Sequence, residues 1–143
     1  MARIKIDLPA AFHFSTNIPV RITDLNYGRH VGNDAILSLI HEARMQFLAQ
    51  YNYTEMQFAG VGMIMSDVGI EFKSELFYGD TVIASITATG FSKVGFDLYY
   101  LLEKEQAGKK ITVAIAKTGM ICYDYKQKKI AAVPEEAKQK LGS

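Results

Sequence analysis

Between Asn33 and about Tyr51, apolar residues recur three or four positions apart: Ile36, Ile40, Ala43 and Phe47 form a stripe that Leu37, Leu39 and Leu48 widen. That spacing predicts one long helix, with a face broad enough to be buried on more than one side. Asn33 stands where an N-cap belongs, and Asp34 puts a negative charge where the helix dipole favours one. Beyond the glycines Gly60 and Gly62 the period changes from three or four to two. In Met63–Lys73, residues Ile64, Ser66, Val68, Ile70 and Phe72 alternate with Met63, Met65, Asp67, Gly69 and Glu71, the signature of a strand. Thr81–Thr89, Phe96–Glu103 and Ile111–Asp124 repeat the pattern across short, glycine-marked connections, which predicts an antiparallel meander. Phe12–Thr23 supplies one strand before the helix, and Pro134-Glu135-Glu136 opens a short terminal helix.

The order strand, helix, four strands, helix predicts an α+β fold in one domain over residues 1–143, with a sheet of about five strands packed on one long helix. Such a sheet leaves an open edge and an uncovered face, so a homodimer, or a dimer of dimers, is expected.

Composition narrows the function classes. Sixteen lysines and arginines nearly cancel fifteen aspartates and glutamates, so no field draws the chain to nucleic acid or to a membrane. The stretch Met1–Leu8 alternates apolar and charged residues and reads as neither a signal peptide nor a membrane span, which predicts a cytoplasmic address. Cys122 is the only cysteine and lies in an alternating apolar segment, so a buried, inert thiol is expected and no multi-cysteine metal site.

The segment Val20-Arg21-Ile22-Thr23-Asp24-Leu25-Asn26-Tyr27-Gly28-Arg29-His30-Val31-Gly32-Asn33 enters the long helix, which continues through His41-Glu42-Ala43-Arg44. With the turn Leu76-Phe77-Tyr78-Gly79-Asp80 and the terminal Val133-Pro134-Glu135-Glu136, it resembles the hot-dog-fold acyl-CoA thioesterases of the 4-hydroxybenzoyl-CoA thioesterase-like group. The resemblance implies a sheet wrapped around the helix, and hydrolysis of an acyl-CoA or acyl carrier protein thioester without a cofactor beyond the coenzyme A of the substrate. It also implies that the N–H near Asn33 holds the thioester oxygen. Hot-dog domains serve other chemistries, and an enoyl-thioester hydratase and a non-enzymatic acyl-thioester sensor stand as rivals.

The chain departs from the family pattern at Gly28-Arg29, where many relatives have tyrosine-glycine, at Gly32, which replaces the first of two asparagines, and above all at Asn26, which occupies the place of the second aspartate: a neutral amide is neither base nor nucleophile. Three accounts are open. His30 acts as general base on a water that Asn26 orients. Alternatively, another carboxylate takes over: Asp24, which shares the face of Asn26 if the strand continues, or Asp67 on a neighbouring strand. In the third account the site binds a thioester without efficient turnover. Asp24 and Asn26 beside a glycine are also ordinary turn residues, Glu42 and Arg44 fit a solvated helix edge, and His13 and His41 show no partner. Arg29 in the loop, and Ser92 and Lys93 in the turn Phe91–Gly95, are candidates for substrate binding, the two cations for the phosphates of coenzyme A.

Overall fold

A computed structural model describes residues 2–142. Its elements are β1 (Phe14–Pro19), α1 (Asn33–Ala49), β2 (Gly62–Phe72), β3 (Thr81–Thr89), β4 (Gly95–Gln106), β5 (Lys109–Asp124), β6 (Lys129–Ile130) and α2 (Glu135–Leu141). The strands pair antiparallel in the order β1-β3-β4-β5-β2, and β6 adds two residues to the end of β5. The meander predicted from the alternation is therefore present in β3, β4 and β5, whereas β2 crosses to the far side of β5.

Burial alternates along β4, where Phe96, Leu98, Tyr100 and Leu102 point to the helix side and Asp97, Tyr99 and Leu101 away from it. Helix α1 sets Ile36, Leu39, Ile40, Ala43, Phe47 and Leu48 into the same core. Each fully buried Leu or Ile contributes about 1.5–3 kcal/mol relative to exposure. The helix is not buried all round: Leu37 is 37% exposed, and Asn33, Asp34, Ser38, His41 and Glu42 share its outer side. Arg44, which suits a solvated edge in the sequence, is instead only 5% exposed. It donates to the Tyr100 hydroxyl at 3.1 Å, and that hydroxyl meets Thr118 Oγ1 at 2.7 Å.

Two boundaries differ from the sequence pattern for identifiable reasons. The first strand stops at Pro19 rather than Thr23, because the N–H of Arg21 donates to Asp24 Oδ2 at 2.8 Å and closes a single 3-10 turn over Ile22–Asp24. In β2 the alternation changes phase at Ser66, where a bulge inserts one residue between Met65 and Asp67. Met63 and Met65 consequently share the helix-facing side with Val68, Ile70 and Phe72, and Asp67 faces the other way, opposite Gly119.

Candidate active site

The segment entering α1 is a tight hairpin. Leu25 and Val31 form a bridge, the N–H of Asn26 donates to the His30 carbonyl at 2.8 Å, and the N–H of Arg29 donates to the Asn26 carbonyl at 3.0 Å. Arg29 takes the left-handed conformation, with φ 67°, that lets the chain reverse. Behind the hairpin lies the Leu76–Asp80 turn: the N–H of Val31 donates to the Leu76 carbonyl at 2.9 Å, and His30 is bridged to Phe77.

This backbone fixes the polar side chains. Asn26 Oδ1 accepts the N–H of Gly28 at 2.8 Å, so the amide nitrogen is the end left to face the helix. A methyl group built on Gly32 would lie 3.7 Å from Asn26 Nδ2, which puts that donor beside the first turn of α1. A methyl group on Gly28 would lie 3.2 Å from Asn26 Oδ1 and 3.4 Å from His30 Nε2, so amide and imidazole flank the same glycine. His30 Nδ1 is 3.2 Å from the Val31 carbonyl. A carbonyl only accepts, so Nδ1 carries the hydrogen and Nε2 of the neutral ring carries the lone pair.

The helix begins one residue earlier in cap terms than the sequence suggests: Gly32 is the N-cap, Asn33 is the first helical residue, and no side chain caps the end. The first intrahelical bond runs from Ile36 N–H to the Gly32 carbonyl, so the N–H groups of Asn33, Asp34 and Ala35 precede it and have no intrahelical acceptor. They carry the positive end of the helix dipole. Asn33, His30, Val31 and Ile36 line a cleft of about 230 Å³, closed opposite by Phe72–Leu76.

The structure brings together Asn26, His30 and Asn33, with Arg29 on the rim of the same hairpin. Asp24 is not on a continued strand beside Asn26. It is 5% exposed, and its two oxygens take the Arg21 main-chain N–H and, at 3.1 Å, the Arg21 guanidinium. Asp67 lies on the outer face of the sheet, where Lys117 donates to it at 2.8 Å and Ser66 at 2.9 Å. Those contacts, the lysine first, hold its carboxyl below the ordinary carboxylate value and suit it to an ion pair rather than to proton abstraction. Ser92 and Lys93 occupy the β3–β4 turn at the Thr89 end of β3, whereas the hairpin adjoins the Thr81 end through Val20 and Asp80. Nine strand residues separate the two by roughly 27 Å within one chain.

A model of the family described as the thioesterase-like superfamily matches residues 20–141. The chain belongs to that superfamily. Among its thioesterase-like relatives it is 31% identical, over 110 residues covering 75% of this chain and 77% of the relative, to 1,4-dihydroxy-2-naphthoyl-CoA hydrolase of Microcystis aeruginosa. Among solved structures it resembles a 1,4-dihydroxy-2-naphthoyl-CoA thioesterase from Synechocystis, with a TM-score of 0.78 at 20% identity over 90% of this chain and 93% of that one. It also resembles an aspartate-to-asparagine variant of 4-hydroxybenzoyl-CoA thioesterase in complex with 4-hydroxybenzoyl-CoA, with a TM-score of 0.80 at 12% identity over 90% and 98%. These likenesses establish the hot-dog fold.

Two features of this thioesterase-like chain escape the sequence reading. Glu55 closes a second pocket with His41, 2.7 Å from its Oε1, and with Arg44 Nε, 3.6 Å from its Oε2. His41, without an evident partner in sequence, is thus paired across the turn that follows α1. Lys104, at an inward position of β4, is 6% exposed. The even-numbered apolar run of that strand was the available signal, since it points the lysine into the protein. No helix among the described residues is long and apolar enough to cross a membrane.

Proposed function

We propose that the protein is an acyl-CoA thioesterase. The observation that carries this reading is the cleft that His30 and Asn33 line at the start of α1, where three helix N–H groups have no intrahelical acceptor and the Asn26 amide nitrogen lies beside the first turn. The thioester carbonyl would lie over the start of α1, where the N–H groups near Asn33 and the Asn26 amide donate to its oxygen. One such donor is worth about 3–4 kcal/mol to the tetrahedral intermediate. His30 Nε2 takes a proton from water as the water oxygen bonds to the carbonyl carbon. Collapse of the intermediate breaks the carbon–sulfur bond, and the thiolate recovers the proton from His30. Named relatives that act on coenzyme A thioesters support coenzyme A as the carrier. In this reading Arg29, exposed on the hairpin, would pair with its phosphates.

Homodimerisation belongs to the same reading. The free edge of β2 and the exposed Met65, Val68 and Phe72 on its helix-facing side, beside Leu37 of α1, form an apolar strip that a second copy covers. Ser92 and Lys93, remote from the cleft of their own chain, contact substrate in this reading only as residues presented to another subunit.

Release of free thiol from a panel of short, long and aromatic acyl-CoAs tests the activity, and sedimentation tests the dimer. Absence of thiol release from every member would refute the enzyme. A second reading, thioester binding without turnover, has one observation in its favour. The variant of 4-hydroxybenzoyl-CoA thioesterase that holds its thioester carries asparagine in place of an aspartate, as this chain does at Asn26 by resemblance.

A further inference from the structure

We infer that Lys104 is a positioning residue for His30, acting through the Glu75–Asp80 turn. A lysine on the inward face of a central strand costs free energy unless its ammonium is fully engaged. Here Nζ donates to the Glu75 carbonyl at 2.7 Å and to Asp80 Oδ2 at 3.3 Å, and lies 5.2 Å from the centre of the Phe77 ring. Asp80 Oδ2 also accepts the N–H of Phe77 at 2.9 Å, and the Asp80 carbonyl accepts the N–H of Val20 at 2.9 Å. One buried cation therefore ties both ends of the turn to the middle of the sheet.

The outer side of the same turn is the backing of the candidate active site. Leu76, next to Glu75, accepts the N–H of Val31, and Phe77, under the ammonium, is the bridge partner of His30. Val31 in turn offers the carbonyl that holds His30 Nδ1. The path from Lys104 to the imidazole is thus turn backbone, Val31, ring, and each link is a hydrogen bond or a ring contact. Lys104 does not itself line the cleft and meets its lining only through the Glu75 carbonyl; its effect is on where the His30 ring sits and which nitrogen carries the hydrogen. A methionine of similar length would fill the same space, so packing alone does not explain an ammonium at this position.

The inference rests on the thioesterase reading for its kinetic consequence but not for its structural one. Lys104→Met keeps the stem and removes the donors. In the folded variant, kcat for the best acyl-CoA of the panel falls at least about tenfold while KM stays within about twofold, because a misplaced base costs the chemical step rather than binding. In the nitrogen-15 spectrum, the His30 ring of the native protein shows one protonated and one bare nitrogen, and the variant shows the two averaged. Lys104→Arg, which restores a donor, recovers part of both. A folded Lys104→Met protein with kcat within about twofold of native, or with unchanged His30 nitrogens, overturns the inference. Should Lys104→Met not fold, Asp80→Asn decides by the same two readouts: changes in both uphold it, and native values of either overturn it. If the native protein releases no thiol, the thioesterase reading fails on its own, and the nitrogen spectrum still decides whether Lys104 sets the His30 ring.

Discussion

Asn26 Oδ1 accepts the backbone N–H of Gly28 at 2.8 Å, and this bond turns the amide nitrogen of Asn26 toward the start of α1. In the proposed mechanism the residue is a hydrogen-bond donor. Asn26→Asp keeps an acceptor for Gly28 and so preserves the hairpin, but it exchanges the donor for a carboxylate. Loss of one such donor is expected to lower kcat about 10²-fold with little change in KM, and Asn26→Ala by a similar factor. Steady-state rates on the preferred acyl-CoA are the measurement. Hydrolysis by Asn26→Asp of a thioester that the native protein binds and leaves intact would mean that the native loop binds thioesters without turning them over.

The long helix, the β3–β4–β5 meander and the place of the loop were all legible in the sequence, because each depends on a local period or on short-range turn chemistry. What was hidden depends on partners distant in sequence. The strand that would set Asp24 beside Asn26 is ended by a 3-10 turn that Arg21 and Asp24 close between them, and the bulge at Ser66 that sends Asp67 outward leaves no mark in an otherwise regular alternation. Lys104 and Glu55 find their partners 24 to 29 and 11 to 14 positions away, beyond the reach of any spacing rule. The direction of the Asn26 amide, on which the mechanism turns, follows from a bond that only the folded hairpin makes.

The ion pair of Asp67 with Lys117 sets a pH dependence of known sign. The Asp67 carboxyl is lowered from its ordinary value by the Lys117 and Ser66 hydrogen bonds. Its contribution to stability is therefore present above the unfolded-state value and is lost as the pH falls through the folded one. The same contact raises Lys117, whose share is lost only at strongly alkaline pH. Since Asp67 is mostly exposed, Asp67→Asn should cost no more than about 1 kcal/mol at neutral pH. In urea titrations the gap between variant and native protein closes toward acid pH, and thioesterase activity stays within about twofold of native, as expected for a surface pair away from the cleft. A gap that widened in acid, or a hundredfold loss of rate, would contradict this placement.

Cys122 is fully buried, and burial pushes its thiol up to about 11. Only the thiolate reacts readily, so the folded protein should resist a chromogenic disulfide reagent at neutral pH and release one equivalent of chromophore after denaturation. Rapid stoichiometric labelling of the folded protein would show that the β5 strand opens far more often than its position in the sheet implies.

The buried chain Thr118–Tyr100–Arg44 makes the sharpest prediction for stability. Tyr100 and Thr118 are fully buried and Arg44 nearly so, and the Tyr100 hydroxyl is the atom that joins them. Tyr100→Phe removes one oxygen and leaves both a guanidinium donor and a threonine hydroxyl without their partner. The expected cost is about 1–3 kcal/mol, toward the upper end because one orphaned group is charged. Thr118→Val, similar in shape, leaves only one bond of the phenol unmade and should cost less. In the double variant the threonine hydroxyl is no longer orphaned, so the two losses should fall short of additive by about 0.5 kcal/mol or more. Urea midpoints at constant m-value for the four proteins give the coupling directly. Strict additivity would show that Thr118 and Tyr100 are neighbours without a bond of consequence, and that Arg44 alone holds the phenol in place.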